Sequence, residues 1–569
     1  MNKRLENILK KPNGFHHHSY VPEVANKFVK GEVDRREFLR TATLLGVSLP
    51  AAYSFIGHVT GKSAFPKARA AGKRGGTFRM AMEVQEIGDP ATYDWTQKSN
   101  VARWMVEYLT RTGSDNVTVP YLARGWEASD DLKTWTLHLQ EGVKWSNGDD
   151  FNADDVVHNF TRWLDPAVGS SNLSLFSAMT DEVEVTRNGE KRMETRMREG
   201  AVEKIDDHTV RLHMKSAQLA VPENLYNYPA AIVHRRFDEE GGNLANNPVG
   251  TGPYSLERFS VGGDAMLRRR EGYWGEEPLL DAIHYIDTGS DRSAMMAAIA
   301  SSQVDAIYEV DVTQVDTLES IPGVVLHSGL TAQTAVCRMQ VDKAPFDDVR
   351  VREAITASID NQQILDLGYR GLGTAAENHH VGPMHPEYAE LPRLKQDHDK
   401  AKRLLAEAGY PDGLTISIDV GQTQGPWELA TVQAMREQLA PSGITLDINT
   451  MPAAQYWDIW TTTPFGLTAW THRPLGVMVL NLAYRKGQSW NESNYDNPEF
   501  EKALDEANGL LDADERRKKM ESVQTILQDD HVMVQSFWRD NFVATRDYVK
   551  DYSVHPTQYH QFEKVWLDK

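Results

Sequence analysis

Trp470, His472 and Arg473 fall within four positions of one another, after the run Leu467-Thr468-Ala469 and just before Pro474. An indole offers a flat apolar face. A guanidinium offers a planar fork of donors for a carboxylate, and an imidazole offers a hydrogen bond or a metal ligand. At the end of a strand that only crosses the core these side chains would pack; on a cleft wall they would orient a ligand. A buried Arg473 requires an anion, supplied by a bound solute or by a local carboxylate such as Glu83 or Asp458. A single imidazole in a polar turn ordinarily serves as a hydrogen-bonding group. The neighbours His379-His380 would point opposite ways on an extended segment.

Other chemistry-bearing patterns are thin. The sequence has no H-E-x-x-H, C-x-x-C, G-x-S-x-G or dinucleotide fingerprint, so no catalytic residue is assigned. Cys337 is the sole cysteine, which rules out an intrachain disulfide, a Cys-ligated iron–sulfur cluster and a Cys₄ zinc site. No cofactor and no metal-ligand set is expected. The tract His16-His17-His18 lies in the leader, and Gly57-His58-Val59-Thr60-Gly61-Lys62-Ser63 is one residue short of a phosphate loop.

The elements around 467–474 follow from pattern. Leu414-Thr415-Ile416-Ser417-Ile418 alternates as a strand, Leu429, Val432, Met435 and Leu439 recur at helical spacing, and Ile444-Thr445-Leu446-Asp447-Ile448 alternates again. Such a βαβ unit makes a parallel pair, and ligands in open α/β sheets sit beyond the carboxyl ends of the strands. The loop 420–427 is at such an end, which makes Trp427 a cleft candidate. Trp427, Trp457, Trp460, Trp470 and Trp490 also crowd one region. Asn152, Asn497 and Asp512 are placed to cap helices, Ser290 to cap one through Met295 and Ile299, and 101–109 reads as a short helix. The two glycines of Asn247-Pro248-Val249-Gly250-Thr251-Gly252-Pro253-Tyr254 suit a sharp turn.

Composition bounds the partners. Of 61 basic and 81 acidic residues, 12 and 5 lie in 1–70, leaving −27 on the rest of the 569-residue chain. So acidic a body argues against nucleic acid and against docking on anionic lipid by charge. The basic leader contains Arg35-Arg36-Glu37-Phe38-Leu39-Arg40, a mildly apolar run over 41–56 and Ala68-Arg69-Ala70, an A-x-A cleavage pattern. It resembles a twin-arginine export signal covering 1–70, with cleavage near Ala70 and a periplasmic product.

Six blocks, in order, carry a wider resemblance. They are Leu122-Ala123 with Trp126-Glu127, Gly142-Val143-Lys144-Trp145, Ala153-Asp154-Asp155-Val156, Pro248 to Tyr254, Pro345 to Ile355, and Asp399 to Pro411. Together they resemble the family 5 extracellular solute-binding proteins of the dipeptide, oligopeptide and nickel class. The resemblance implies an α/β, two-lobed periplasmic binding fold (type II) with a small extra subdomain. Lobe I would comprise 72–120, 205–330 and 535–569, the subdomain 121–204, and lobe II 331–534. It implies a monomer that captures a peptide or peptide-like solute for ABC permease subunits and their ATPase. In the family's dipeptide binders an Arg-Pro-Tyr holds the ligand carboxylate; here Gly425-Pro426-Trp427 stands there. Where an Asp holds the ligand ammonium, this chain has Arg473. Ligand contacts are therefore expected from Trp427, Trp470, His472, Arg473 and Glu83, with an anionic solute suiting Arg473. A metal-chelate binder using His472 and an exported hydrolase are the alternatives.

Overall fold

Two long strands, Val324–Met339 and Phe537–Arg546, run antiparallel and join the halves of one twelve-stranded mixed sheet. The computed structural model describes residues 3–11, 17–62, 72–187, 190–289 and 291–569. On one side of these strands the sheet continues through Ala306–Ile307, Thr77–Ala81, Ala282–Ile286, Asp264–Arg269 and Tyr254–Phe259. On the other it continues through Phe465–Trp470, Leu414–Val420 and Ile444–Thr450. The expected βαβ unit is present: the last two strands pair in parallel from Leu414↔Ile444 to Val420↔Thr450, joined by the helix Trp427–Leu439. Leu414, Ile416 and Ile418 face inward while Thr415 and Ser417 face out, as the alternation requires.

Residues 123–213 contribute a separate four-stranded sheet and a hairpin, Thr180–Arg187 with Glu190–Met197. The helix Ala153–Trp163 starts in a capping box: Asn152 accepts from Asp154 N–H, and Asp155 accepts from Asn152 N–H. Asn497 and Asp512 also cap as expected.

Three expectations change. The helix expected over 101–109 lies instead at Thr96–Ala102, and the carbonyls of Trp104, Met105 and Glu107 accept from Tyr254, Gly252 and Ile232. Tertiary partners have taken the groups a helix would have used internally. The glycines at 250 and 252 serve this approach rather than a left-handed turn: a Cβ on Gly250 would lie 1.9 Å from Met105 O, and one on Gly252 2.4 Å from Trp104 O. Ser290 lies outside the described residues, and Asp291 caps the helix Arg292–Ala300.

The described part of the leader is folded. Helices Val21–Lys30, Arg35–Leu44 and Leu49–Thr60 close around Phe28, Phe38 and Phe55, with ring centroids 5.0 to 6.3 Å apart. The run over 41–56 is broken near Gly46, and among the described residues no helix is long and apolar enough to cross a membrane.

Candidate functional site

Between the halves of the sheet lies a cavity of about 900 Å³, walled on one side by Glu83, Trp95, Asp287 and Arg292 and on the other by residues 421–426 and 451–453. The strand Leu414–Val420 ends at its rim, and a buried carboxylate shapes the loop that follows. Glu428 accepts from Thr423 N–H (2.9 Å) and Gln424 N–H (2.7 Å), and burial raises its pKa to about 7. Gln422 adopts φ 45° in this loop and Gly425 φ 136°. A Cβ on Gly425 would meet Asp311 Oδ2 at 3.2 Å and Arg292 Nη2 at 3.5 Å, so only glycine fits the bend.

Trp95 also borders a smaller chamber of about 70 Å³ lined by Trp457, Trp460, Trp470, Trp490 and Arg473. The indoles meet edge to face, Trp457 to Trp460 at 5.5 Å, Trp460 to Trp490 at 5.7 Å and Trp470 to Trp490 at 5.8 Å. Beneath them a buried ion pair fixes the wall. Arg338 Nε donates to Glu492 Oε2 at 2.9 Å, while Glu492 accepts from Trp470 Nε1 at 2.6 Å and Thr468 Oγ1 at 2.5 Å. The indole N–H of Trp470 is thus committed to Glu492, and its ring is held against the chamber.

Arg473 is 3 % exposed and lies over the Tyr228 ring, 5.2 Å from its centroid. One terminal nitrogen donates to Thr471 Oγ1 (2.5 Å) and His472 O (3.2 Å), and the other to Tyr228 Oη (3.3 Å). Its Nε is buried without a partner, and no described carboxylate lies within 4.0 Å of the guanidinium. Asp94 lines the same chamber but holds Lys98 at 2.8 Å. A buried guanidinium held only by neutral acceptors can take an anion.

The structure therefore brings Trp470 and Arg473 together and puts Glu83 on the wall of the larger cavity. Trp427 is elsewhere. It is 4 % exposed and packs in the core under the cleft loop, with Arg539 5.0 Å from its ring centroid and Tyr369 5.4 Å. The helix that begins at Trp427 turns the indole inward while Pro426 keeps the rim. Trp427→Ala is accordingly expected to destabilise the fold by about 3–5 kcal/mol in urea unfolding. Solute affinity of the folded variant should stay within about twofold in titration calorimetry.

His472 also turns inward. Its Nδ1 accepts from Ala332 N–H at 2.9 Å and its Nε2 donates to Asn116 Oδ1 at 3.1 Å, so both ring nitrogens are used. Among the described residues no three His, Cys, Asp or Glu side chains form a metal-holding group. Burial holds His472 well below the ordinary imidazole value, with His379 and His555 near 3, His385 near 4, and His380 and His560 far below. In the unfolded chain these six titrate near 6.5, so acidification protonates the unfolded state first, and stability falls below pH 6.5. The slope is about 1.4 kcal/mol per pH unit for each net proton. Burial raises Glu223, Glu377, Glu428 and Glu492, which act in the opposite sense. Asp540 is raised in the same way, while His18, His158, His234, His327 and His531 are lowered like the other six. The histidines thus outnumber the carboxylates, and the thermal midpoint should be lower at pH 5 than at pH 7. A flat or rising midpoint would contradict neutral burial of the histidines.

Several site residues carried little sequence signal. Trp95, Arg292, Asp287 and Tyr228 come from distant segments that only the tertiary fold assembles. The late tryptophans were visible as a cluster, and four of its five, Trp457, Trp460, Trp470 and Trp490, line the chamber, while Trp427 does not.

Two α/β halves on a pair of crossing strands, with a large cavity between them, define a two-lobed periplasmic solute-binding fold. Residues 117–492 match the family described as bacterial extracellular solute-binding proteins, family 5 Middle, and the chain belongs to it. The heme-binding protein A of Haemophilus influenzae is 27% identical over 497 residues, covering 82% of this chain and 86% of that protein. The dipeptide-binding protein of Escherichia coli is 24% identical, covering 79% and 86%. Among solved structures, the periplasmic binding protein DppA from Helicobacter pylori in complex with the peptide STSA superposes with a TM-score of 0.75. It is 21% identical, and the match covers 87% of this chain and 99% of that one.

Proposed function

We propose that this chain is the periplasmic solute-binding component of an ABC importer, taking a peptide or peptide-like solute with an anionic group. In this reading lobe I comprises 72–120, 205–330 and 535–569, the subdomain 121–204 and lobe II 331–534. The solute draws the lobes together, and the closed form is offered to the permease and its ATPase. The observation that carries the reading is Arg473: a buried guanidinium without a described carboxylate partner, in an aromatic chamber beside a cavity of about 900 Å³. Trp470 supplies a stacking face, while Arg292 and Glu83 line the larger cavity, where further polar groups of the solute would lie. Such an occupant is a small carboxylate-bearing conjugate or peptide rather than a plain zwitterionic dipeptide with its ammonium at this end. The leader in this reading is a twin-arginine signal cut near Ala70.

The test is to purify the chain from its native host, release the bound material in denaturant and identify it by mass spectrometry. A carboxylate-bearing solute that restores the thermal midpoint of the stripped protein is the expected result. Stabilisation by metal chelates alone would overturn the reading. Turnover of the stabilising compound would replace binding with catalysis.

A further inference from the structure

The N-terminal cap, residues 17–62, touches two separate regions of the body. Toward the four-stranded sheet, Trp126 Nε1 donates to Leu44 O at 2.8 Å and Arg36 Nε to Asp115 O at 3.0 Å. His18 Nε2 lies 3.3 Å from Ser129 O, and Lys11, just ahead of the cap, pairs with Glu127 at 2.8 Å. Val117 and Val119 complete the cap's own apolar core. A Cβ on Gly46 would lie 2.3 Å from Trp126 O, so the cap sits directly on this sheet.

The other footing is the helix Ala513–Asp529. Asp512, which caps that helix, accepts from Tyr20 Oη at 2.8 Å and pairs with Lys27, and Leu511 packs into the cap's core. This helix belongs with the opposite half of the molecule: Gln524 and Gln528 bond to carbonyls of Ala389 and Glu377, and Arg352 donates to Asp530 O at 2.9 Å. Between the footings Arg40 is buried beside the cap's own Glu37 at 3.6 Å, and Glu37 in turn lies 3.9 Å from Arg516 of the helix Ala513–Asp529. Three helices with their own aromatic core make a stiff connection.

We infer that the cap is an intramolecular clamp. While attached and docked, it ties the four-stranded sheet to the helix Ala513–Asp529 and opposes the separation of the lobes through which a solute enters. Removal or undocking of the cap frees that motion, so solute uptake belongs to the processed chain. This rests on the solute-binding reading above for the meaning of the motion, while the clamp itself is a property of the solute-free molecule.

The experiment uses the full chain, stripped of solute, in three forms: unaltered, Tyr20→Phe/Lys27→Glu to release the helix footing, and Lys11→Glu/Trp126→Phe to release the sheet footing. Small-angle scattering reads the radius of gyration, and hydrogen exchange reads segments 123–130, 383–388 and 512–517. Both releases should enlarge the solute-free radius and speed exchange at least tenfold in all three segments, including the footing that was not altered. Unchanged radius and exchange in both variants would overturn the clamp. Should the Trp126 variant not fold, Lys11→Glu/Arg36→Glu releases the same side without touching the core. An enlarged radius that no solute contracts would support the clamp while removing the solute-binding reading. Equal contraction of all three forms by the solute identified by mass spectrometry would do the reverse.

Discussion

Arg473→Ala is expected to weaken the co-purified solute by about 30- to 1000-fold, equivalent to about 2–4 kcal/mol for an anion deprived of its buried partner. The thermal midpoint of the solute-free protein should barely move, because the guanidinium holds only Thr471, His472 and Tyr228 oxygens and no described carboxylate is left unpaired. Arg473→Lys should retain part of the affinity, since the charge persists while the planar fork is lost. Calorimetric titration and thermal unfolding of the same preparations separate the two effects. A large drop in the solute-free midpoint with unchanged affinity would make Arg473 a structural residue.

Glu492→Ala should be the most destabilising single change on the chamber wall, at about 3–5 kcal/mol in urea unfolding. It leaves the Arg338 charge buried without its carboxylate and takes the acceptor from Trp470 Nε1 and Thr468 Oγ1 together. Glu492→Gln keeps an acceptor and should cost less. The paired change Arg338→Met/Glu492→Leu should recover most of the loss, because an apolar pair of similar volume removes both desolvated charges. A double variant as unstable as Glu492→Ala would mean that the bonds to Thr468 and Trp470, not the ion pair, hold the wall.

The sequence made the sheet elements of the second half legible because their apolar residues alternate cleanly, as at Leu414, Ile416 and Ile418. The caps at Asn152, Asn497 and Asp512 were equally legible, since each side chain acts within three residues of itself. The site was legible only in part. Arg473 and Trp470 stood out by type and position, but Trp427 shared the same signal and turned into the core, since which way a helix-start indole points depends on Arg539 and Tyr369 far along the chain. His472 offered the chemistry of a ligand, and Asn116, 356 positions away, settled its use as a core hydrogen bond. No local pattern foretold that the leader would pack on Trp126 and Asp512.

The run of indoles along the chamber has an optical consequence. Trp457, Trp460, Trp490 and Trp470 come from one half of the molecule, whereas Trp95 comes from the other and meets Trp457 at 6.2 Å across the cleft. Aromatic transitions this close couple, so the Trp95–Trp457 contact is a native chromophore pair that spans the cleft. Under the proposed solute-driven closure, near-ultraviolet circular dichroism of the unlabelled protein should change when solute is added, and an unchanged spectrum would count against a lobe motion at this contact.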